Sequence, residues 1–200
     1  MTRWYSEKKR EHFYKEAKRF GYRARSAFKL KQIQKKFNII KNGDIVIDLG
    51  AAPGGWSQVA KEIVGDKGQV VGIDLLSIKP IEGIIFLESD MTDYKSIQKL
   101  EKFVSEKKVD VILSDMSPDI SGNYSVDQAC SIFLCEQAFK ASEIFLKPGG
   151  SFVCKAFTGE DLEYFILKII QKFGSVKRFS PVASRKSSSE IYLVARSFKG

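Results

Sequence analysis

Residues 45–56, Ile-Val-Ile-Asp-Leu-Gly-Ala-Ala-Pro-Gly-Gly-Trp, constrain the fold more than any other stretch. An apolar run meets an acid and then breaks into three glycines and a proline. Ile45, Val46, Ile47 and Leu49 suit a strand covered on both faces, as in the parallel sheet of an α/β domain, with Asp48 where the strand is expected to end. Gly50, Gly54 and Gly55 let the backbone approach a ligand that a Cβ would push away. From Ser57 to Val64 the spacing turns helical, so the unit reads as strand, glycine loop and helix, with free amides at the helix start facing the loop.

An ordinary connection in which glycine only turns the chain is the competing explanation. The spacing is neither GxGxxG nor GxxxxGK[ST], so no phosphate cradle is expected. A second short run, Gln69 to Ile73, ends in Asp74, about twenty residues past the last glycine. An acid at the tip of a second parallel strand is placed to accept hydrogen bonds from ribose hydroxyls. The expected ligand is an adenosine without a phosphate tail.

Alternating strands and helices run through the rest. Arg25 to Phe37 has helical spacing with Phe28, Leu30, Ile33 and Phe37 turned inward and Lys29 beside them. Ile84 to Leu87 leads to Asp90, Ser96 to Lys107 is amphipathic, and Val109 to Leu113 ends at Asp115. A long helix, Val126 to Leu146, is closed by Lys147-Pro148-Gly149-Gly150, and Ser151 to Phe157 follows as a fifth strand. Leu162 to Phe173 makes another helix, and strands over Ser175 to Phe179 and Glu190 to Ala195 complete seven. The expected fold is a doubly wound, mostly parallel sheet with helices on both faces, whose ligands sit beyond the carboxyl ends of the strands. Lys155, inside an otherwise apolar strand, breaks the pattern; an edge position or a lysine that snorkels to solvent is the alternative to a functional role. Each acid at a strand end can also be a carboxylate that caps its own loop, Asp90 above all.

Two hundred residues at 44% hydrophobic can bury one core, so a single domain over 1–200 is expected. No stretch approaches the roughly 20 apolar residues of a membrane span, and the basic N-terminus lacks the apolar centre of a signal peptide, which points to a soluble cytoplasmic protein. Cys130, Cys135 and Cys154 are odd in number and never spaced CxxC, and His12 is the single histidine, so neither a disulfide framework nor a metal site is expected.

Charge is concentrated at one end. Residues 1–36 hold 13 lysines and arginines against 3 glutamates, net +10, and the other 164 residues are net −1. Such a run is often a solvated face. Here Trp4, Tyr5, Phe13, Tyr14, Phe20 and Tyr22 interleave with Arg3, Lys8, Lys9, Arg10, Lys15, Lys18, Arg19, Arg23 and Arg25, and cations beside stackable rings favour RNA. Residues 1–36 are therefore expected to form a basic RNA-binding extension. Arg185, Lys186 and Ser187 to Ser189 can add phosphate contacts or form a mobile loop.

Four separated motifs, Asp48-Leu-Gly-Ala-Ala-Pro-Gly-Gly-Trp-Ser-Gln, Ser-Asp115-Met-Ser-Pro, Phe152-Val-Cys-Lys155 and Ser189-Glu190-Ile-Tyr192, resemble the FtsJ-type (RlmE-type) ribosomal RNA large-subunit 2′-O-ribose methyltransferases from about Tyr22 to Val194. The resemblance implies a Rossmann-like methyltransferase fold. It also implies an S-adenosyl-L-methionine-dependent enzyme acting on a uridine of large-subunit (23S-type) rRNA or the large ribosomal subunit, as a monomer. It places the family's Lys-Asp-Lys-Glu set on Lys29, Asp115, Lys155 and Glu190, and its cofactor contacts on Gly54, Trp56, Asp74, Asp90 and Asp115. In that assignment Lys155 is the base that takes the hydroxyl proton, a role lysine fills when burial and a neighbouring cation bring it to about 7 or 8. Lys29 is that cation. Asp115 and Glu190 orient the lysines and the ribose, and a carboxylate near Lys155 opposes the effect of Lys29. Asp74 takes the cofactor ribose, Asp90 the adenine amine, and Trp56 a wall of the pocket. A tRNA 2′-O-methyltransferase and a non-catalytic RNA-binding module of the same fold are the alternatives.

Overall fold

The computed structural model describes residues 12–104, 108–184 and 189–200. Arg3, Trp4, Tyr5, Lys8, Lys9 and Arg10, and Arg185, Lys186, Ser187 and Ser188, lie outside the described residues. Among the described residues six helices and seven strands follow one another. They are α1 (12–19), α2 (Ala27–Phe37), β1 (Ile45–Leu49), α3 (Gly55–Val64), β2 (Gln69–Asp74), β3 (Ile84–Glu88), α4 (Tyr94–Val104), β4 (Val109–Ser114), α5 (Tyr124–Phe145), β5 (Leu146–Phe157), α6 (Glu160–Lys172), β6 (Phe173–Phe179) and β7 (Glu190–Phe198). One sheet holds all seven strands in the order β3-β2-β1-β4-β5-β7-β6, and β7 alone runs antiparallel to its neighbours. The order reverses between β1 and β4, the switch point at which such sheets open a crevice.

The central strands are buried on both faces, the edge strands β3 and β6 less so, and strand periodicity sorts their side chains. Ile47, Leu49, Ile112, Phe152 and Cys154 pack with α4, α5 and α6, while Val46, Val111, Leu113, Val153 and Val194 pack with α2 and α3. α2 is held by Leu30 and Ile33, both fully buried, each contributing about 1.5–3 kcal/mol of burial. The basic N-terminal stretch therefore meets the core through one face of α2, while Lys31, Lys35 and Lys36 stay exposed. Tyr22 is also buried, while Tyr14 and Phe20 are exposed.

Three local expectations are corrected. β1 continues through Asp48 to Leu49, and Asp48 is fully buried rather than at the strand's exposed tip. Phe173 opens β6 instead of ending α6, because its ring packs against Phe152 and Phe198 in the sheet core. β5 pairs at Leu146 and again at Ser151, so Lys147-Pro148-Gly149-Gly150 bulges from the ladder with β4; Pro148 has no N–H to pair there.

Candidate active site

Period two brings four functional side chains to one face of the sheet at its carboxyl edge. β5 and β7 pair Lys155 with Tyr192 and Phe157 with Glu190. Lys155 shares the face of Val153, and Tyr192 and Glu190 share the face of Val194. Asp115, one residue past β4, continues the face of Val111 and Leu113. α2 crosses above and lowers Lys29 onto the group.

The contacts form one connected chain. Lys29 Nζ lies 2.6 Å from Glu190 Oε1 and donates to Tyr192 Oη at 3.1 Å. Tyr192 in turn donates to Asp115 Oδ1 at 2.7 Å. Lys155 Nζ lies 3.2 Å from the same oxygen and donates to the Asp115 carbonyl at 2.5 Å. Ser184 Oγ donates to Glu190 Oε1 at 2.7 Å. Lys29 and Lys155 are each only 7% exposed, so their charges are held by these partners and not by water. Burial raises the Glu190 carboxyl, but the charge and hydrogen bond of Lys29, the Ser184 hydroxyl and the charge of Lys155 outweigh that and hold it below its usual value. Burial, then the Asp115 and Glu190 carboxylates, push the Tyr192 phenol well above its ordinary value, so it stays protonated and donates. The sequence motif contained Tyr192 without assigning it a role; its place two residues from Glu190, on the same face of a strand, was the available signal.

Beside this group lies a cavity of about 480 Å³, within the range of small-molecule sites. The Gly50–Ala52 turn forms one wall. Gly50 and Ala51 donate to the Ile73 carbonyl and Ala52 to Asp74 Oδ2 at 2.9 Å, hanging the turn on the end of β2. Gly50 has φ +73°, and a Cβ there would fall 2.5 Å from Met116 Cγ, so only glycine lets the turn close. Ile73, Leu75, Leu76, Met91 and Met116 give apolar surface, and Asp74, Asp90, Asp115 and Asp119 are the charged lining residues. Among the described residues no lysine or arginine lines the cavity. Four carboxylates, of which Asp115 is paired with Lys155 behind the wall, suit a positively charged ligand and oppose a polyphosphate.

Asp74 and Asp90 are loop caps as well as cavity residues. Leu76 N donates to Asp74 Oδ1, and the amide and hydroxyl of Thr92 donate to Asp90 Oδ1, all at 2.8 Å. The backbone bond and then the hydroxyl bond from Thr92 lower the Asp90 carboxyl, keeping it an acceptor. Asp115 belongs to both the cavity and the lysine cluster, and so marks where they meet. Gly54 and Trp56 are not in the cavity wall. The Trp56 ring is 2% exposed, donates Nε1–H to the Ser26 carbonyl at 2.8 Å and lies 5.6 Å from the Tyr192 ring, which it supports from below. A Cβ on Gly54 would face Ile81, Arg23 and Phe86.

The model of the FtsJ-like methyltransferases matches residues 22–198, which include every residue of the cluster and the cavity. The chain belongs to the FtsJ-like methyltransferase family. It is 45% identical over 202 residues to "Ribosomal RNA large subunit methyltransferase E" of Methanocaldococcus jannaschii, covering 99% of this chain and 82% of that protein. The protein of the same name from Methanosarcina acetivorans is 47% identical over 190 residues, covering 95% of this chain and 69% of the relative. Among solved structures, a putative ribosomal RNA methyltransferase from Plasmodium falciparum superposes with a TM-score of 0.83 at 30% identity, covering 90% of this chain and 100% of that one. This FtsJ-like chain is therefore a methyltransferase with the family's Rossmann-like fold. No helix among the described residues is long and apolar enough to cross a membrane.

Proposed function

We propose that this FtsJ-like enzyme transfers the methyl group of S-adenosylmethionine to a ribose 2′-hydroxyl of large-subunit ribosomal RNA, at a uridine. The observation that carries the proposal is the sharing of Asp115 between an acid-lined cavity and a buried two-lysine cluster. S-adenosylmethionine fits that lining, since it presents a sulfonium and an ammonium to carboxylates and has no phosphate to be repelled. When bound, it supplies a methyl group already activated by positively charged sulfur.

The chain's own residues then have two tasks, alignment and proton removal. Asp74 accepts from the ribose hydroxyls of the cofactor and Asp90 from its adenine amine, while Leu75, Leu76 and Met91 cover apolar surface. Lys155, in its neutral amine form, receives the proton of the target 2′-hydroxyl and becomes the ammonium that Asp115, fixed by Tyr192, pairs with at the edge of the cavity. Lys29, held by Glu190 and Tyr192, faces the target sugar and its phosphate. Alignment of this kind is worth several kcal/mol, and a positioned base adds about 10²–10⁴-fold.

The substrate class rests on charge and on the relatives' names. The basic N-terminal stretch carries Lys18 over the exposed Tyr14 ring at 5.0 Å and Arg19 beside the exposed Phe20 at 5.7 Å, pairs suited to phosphates and stacked bases. The family resemblance supports a monomer, and ribosomal RNA as substrate supports a cytoplasmic location. Calorimetry and labelled-methyl transfer to ribosomal subunits test the proposal together. Asp74→Ala is expected to weaken cofactor binding, and Lys155→Ala to bind cofactor normally while losing about 10²–10⁴ in kcat. Full turnover by the Lys155→Ala enzyme, or faster transfer to tRNA than to ribosomal subunits, contradicts it.

A further inference from the structure

Charge spacing groups Arg23 with the cations expected to meet RNA phosphate, yet its guanidinium is spent on carbonyls of the protein's own loops. Nη1 donates to the carbonyls of Pro53, at 3.4 Å, and Lys79, and Nη2 donates to the carbonyl of Pro80 at 2.8 Å. Pro53 sits in the glycine turn whose Gly50 and Ala52 form one wall of the cavity. Lys79 and Pro80 sit in the connection after β2, whose Leu75 and Leu76 form another. One side chain thus joins two loops that are far apart in sequence.

The segment carrying Arg23 is itself fixed. Gln58 of α3 accepts from Arg23 N at 2.9 Å and donates to the Gly21 carbonyl at 3.0 Å, reading both backbone groups with a single amide. Gly55 permits the approach, since a Cβ there would fall 3.1 Å from Ala24 Cβ. Residues 75–83, by contrast, have no regular structure and are largely exposed, so little apolar burial holds them in place. The fork of a guanidinium, with donors in fixed directions, can set the spacing of the two loops; an ammonium cannot present the same planar set. The segment leads back into α1 with its exposed cations and forward into α2 with Lys29.

We propose that Arg23 is a positioning residue for the cofactor cavity, and that the strap of residues 21–26 couples the basic N-terminal segment to that cavity, so that RNA and cofactor strengthen each other's binding. The proposal rests on the reading of the acid-lined cavity as the S-adenosylmethionine site. Arg23 would then contribute to RNA affinity through the cofactor, not by contacting phosphate.

The test compares the wild type, Arg23→Ala, Arg23→Lys and Asp74→Ala. Cofactor affinity is measured with and without an rRNA fragment, and RNA affinity is measured across a salt series. Arg23→Ala and Arg23→Lys are expected to weaken cofactor binding about tenfold and to abolish the tightening of cofactor by RNA, with an equal loss in the reciprocal direction. The salt slope of RNA binding is expected to stay unchanged. Guanidinium ion at a low, non-denaturing concentration is expected to restore cofactor affinity to Arg23→Ala, which a general loss of stability would not allow. Should cofactor affinity hold in both Arg23 variants while the salt slope drops by about 0.7–0.9, the increment of one phosphate contact, Arg23 is a phosphate ligand and the proposal fails. If Asp74→Ala also leaves cofactor affinity untouched, the failure lies in the assignment of the cavity itself.

Discussion

Tyr192 carries no charge, yet its hydroxyl links the two halves of the lysine cluster, accepting from Lys29 and donating to Asp115. Tyr192→Phe keeps the ring on Trp56 and removes only that link. The expected result is a lower kcat with cofactor affinity unchanged, and a stability loss of about 1–3 kcal/mol from the unpaired groups left behind, read by turnover kinetics and thermal unfolding. Asp48 offers a second test at the same scale. It is fully buried, takes a 2.6 Å hydrogen bond from Ser57 on Oδ2, and has no partner on Oδ1. Burial pushes it up to about 7; the Ser57 bond lowers it, and the Asp115 and Asp74 charges raise it. The folded pKa exceeds the unfolded value of about 3.9, so the folded chain binds this proton more tightly. The stability it brings is full below about pH 4 and lost as pH rises through 7, amounting to about 4 kcal/mol. Asp48→Asn should flatten that slope and raise the melting temperature at pH 9; an unchanged slope would place the ionisation elsewhere. Lys155 stood out in the sequence because a charge in an apolar strand is costly unless it is paired, and it is buried beside Asp115. Trp56 did not, because a ring after a glycine turn can face the ligand or the core, and only the packing of α3 under Tyr192 decides between them.

At the scale of elements, the strands were readable because parallel strands covered on both faces are unbroken apolar runs, and the helices because their apolar stripes repeat every three to four residues. What escaped was set by contacts across the chain. Phe173 joined β6 because two distant aromatic rings drew it there, and Arg23 joined two loops by bonding to carbonyls, which carry no sequence signal. Tyr22 counted among the stackable rings of the basic segment but is buried, with its hydroxyl donating to Glu62 at 2.7 Å. Among the described residues, Tyr14, Lys18, Arg19 and Phe20 of that segment are exposed, and these are the ones we propose for RNA. Deletion of residues 1–20 should weaken RNA binding and reduce the slope of log K against log salt, while the cavity retains its acids. An unchanged salt slope in a filter-binding or fluorescence titration would remove the segment from the interface.

Over the whole molecule, charge and topology divide the work. The basic excess sits in the first 36 residues and the remainder is nearly neutral, and on the function we propose a polyanion is drawn toward that part of the chain. The acids gather at the switch point of the sheet, where a cationic cofactor is favoured and phosphate is not. Asp115 stands at the junction, and the account requires a methyl group to cross from one side of it to a sugar oxygen on the other. The most direct test is alkaline hydrolysis of large-subunit rRNA after reaction with the enzyme and labelled S-adenosylmethionine, because a methylated 2′-oxygen blocks cleavage of the adjoining phosphodiester. The account predicts label in alkali-resistant dinucleotides with wild-type enzyme and none with Lys155→Ala. Label recovered in mononucleotides, or undiminished in Lys155→Ala, would contradict it.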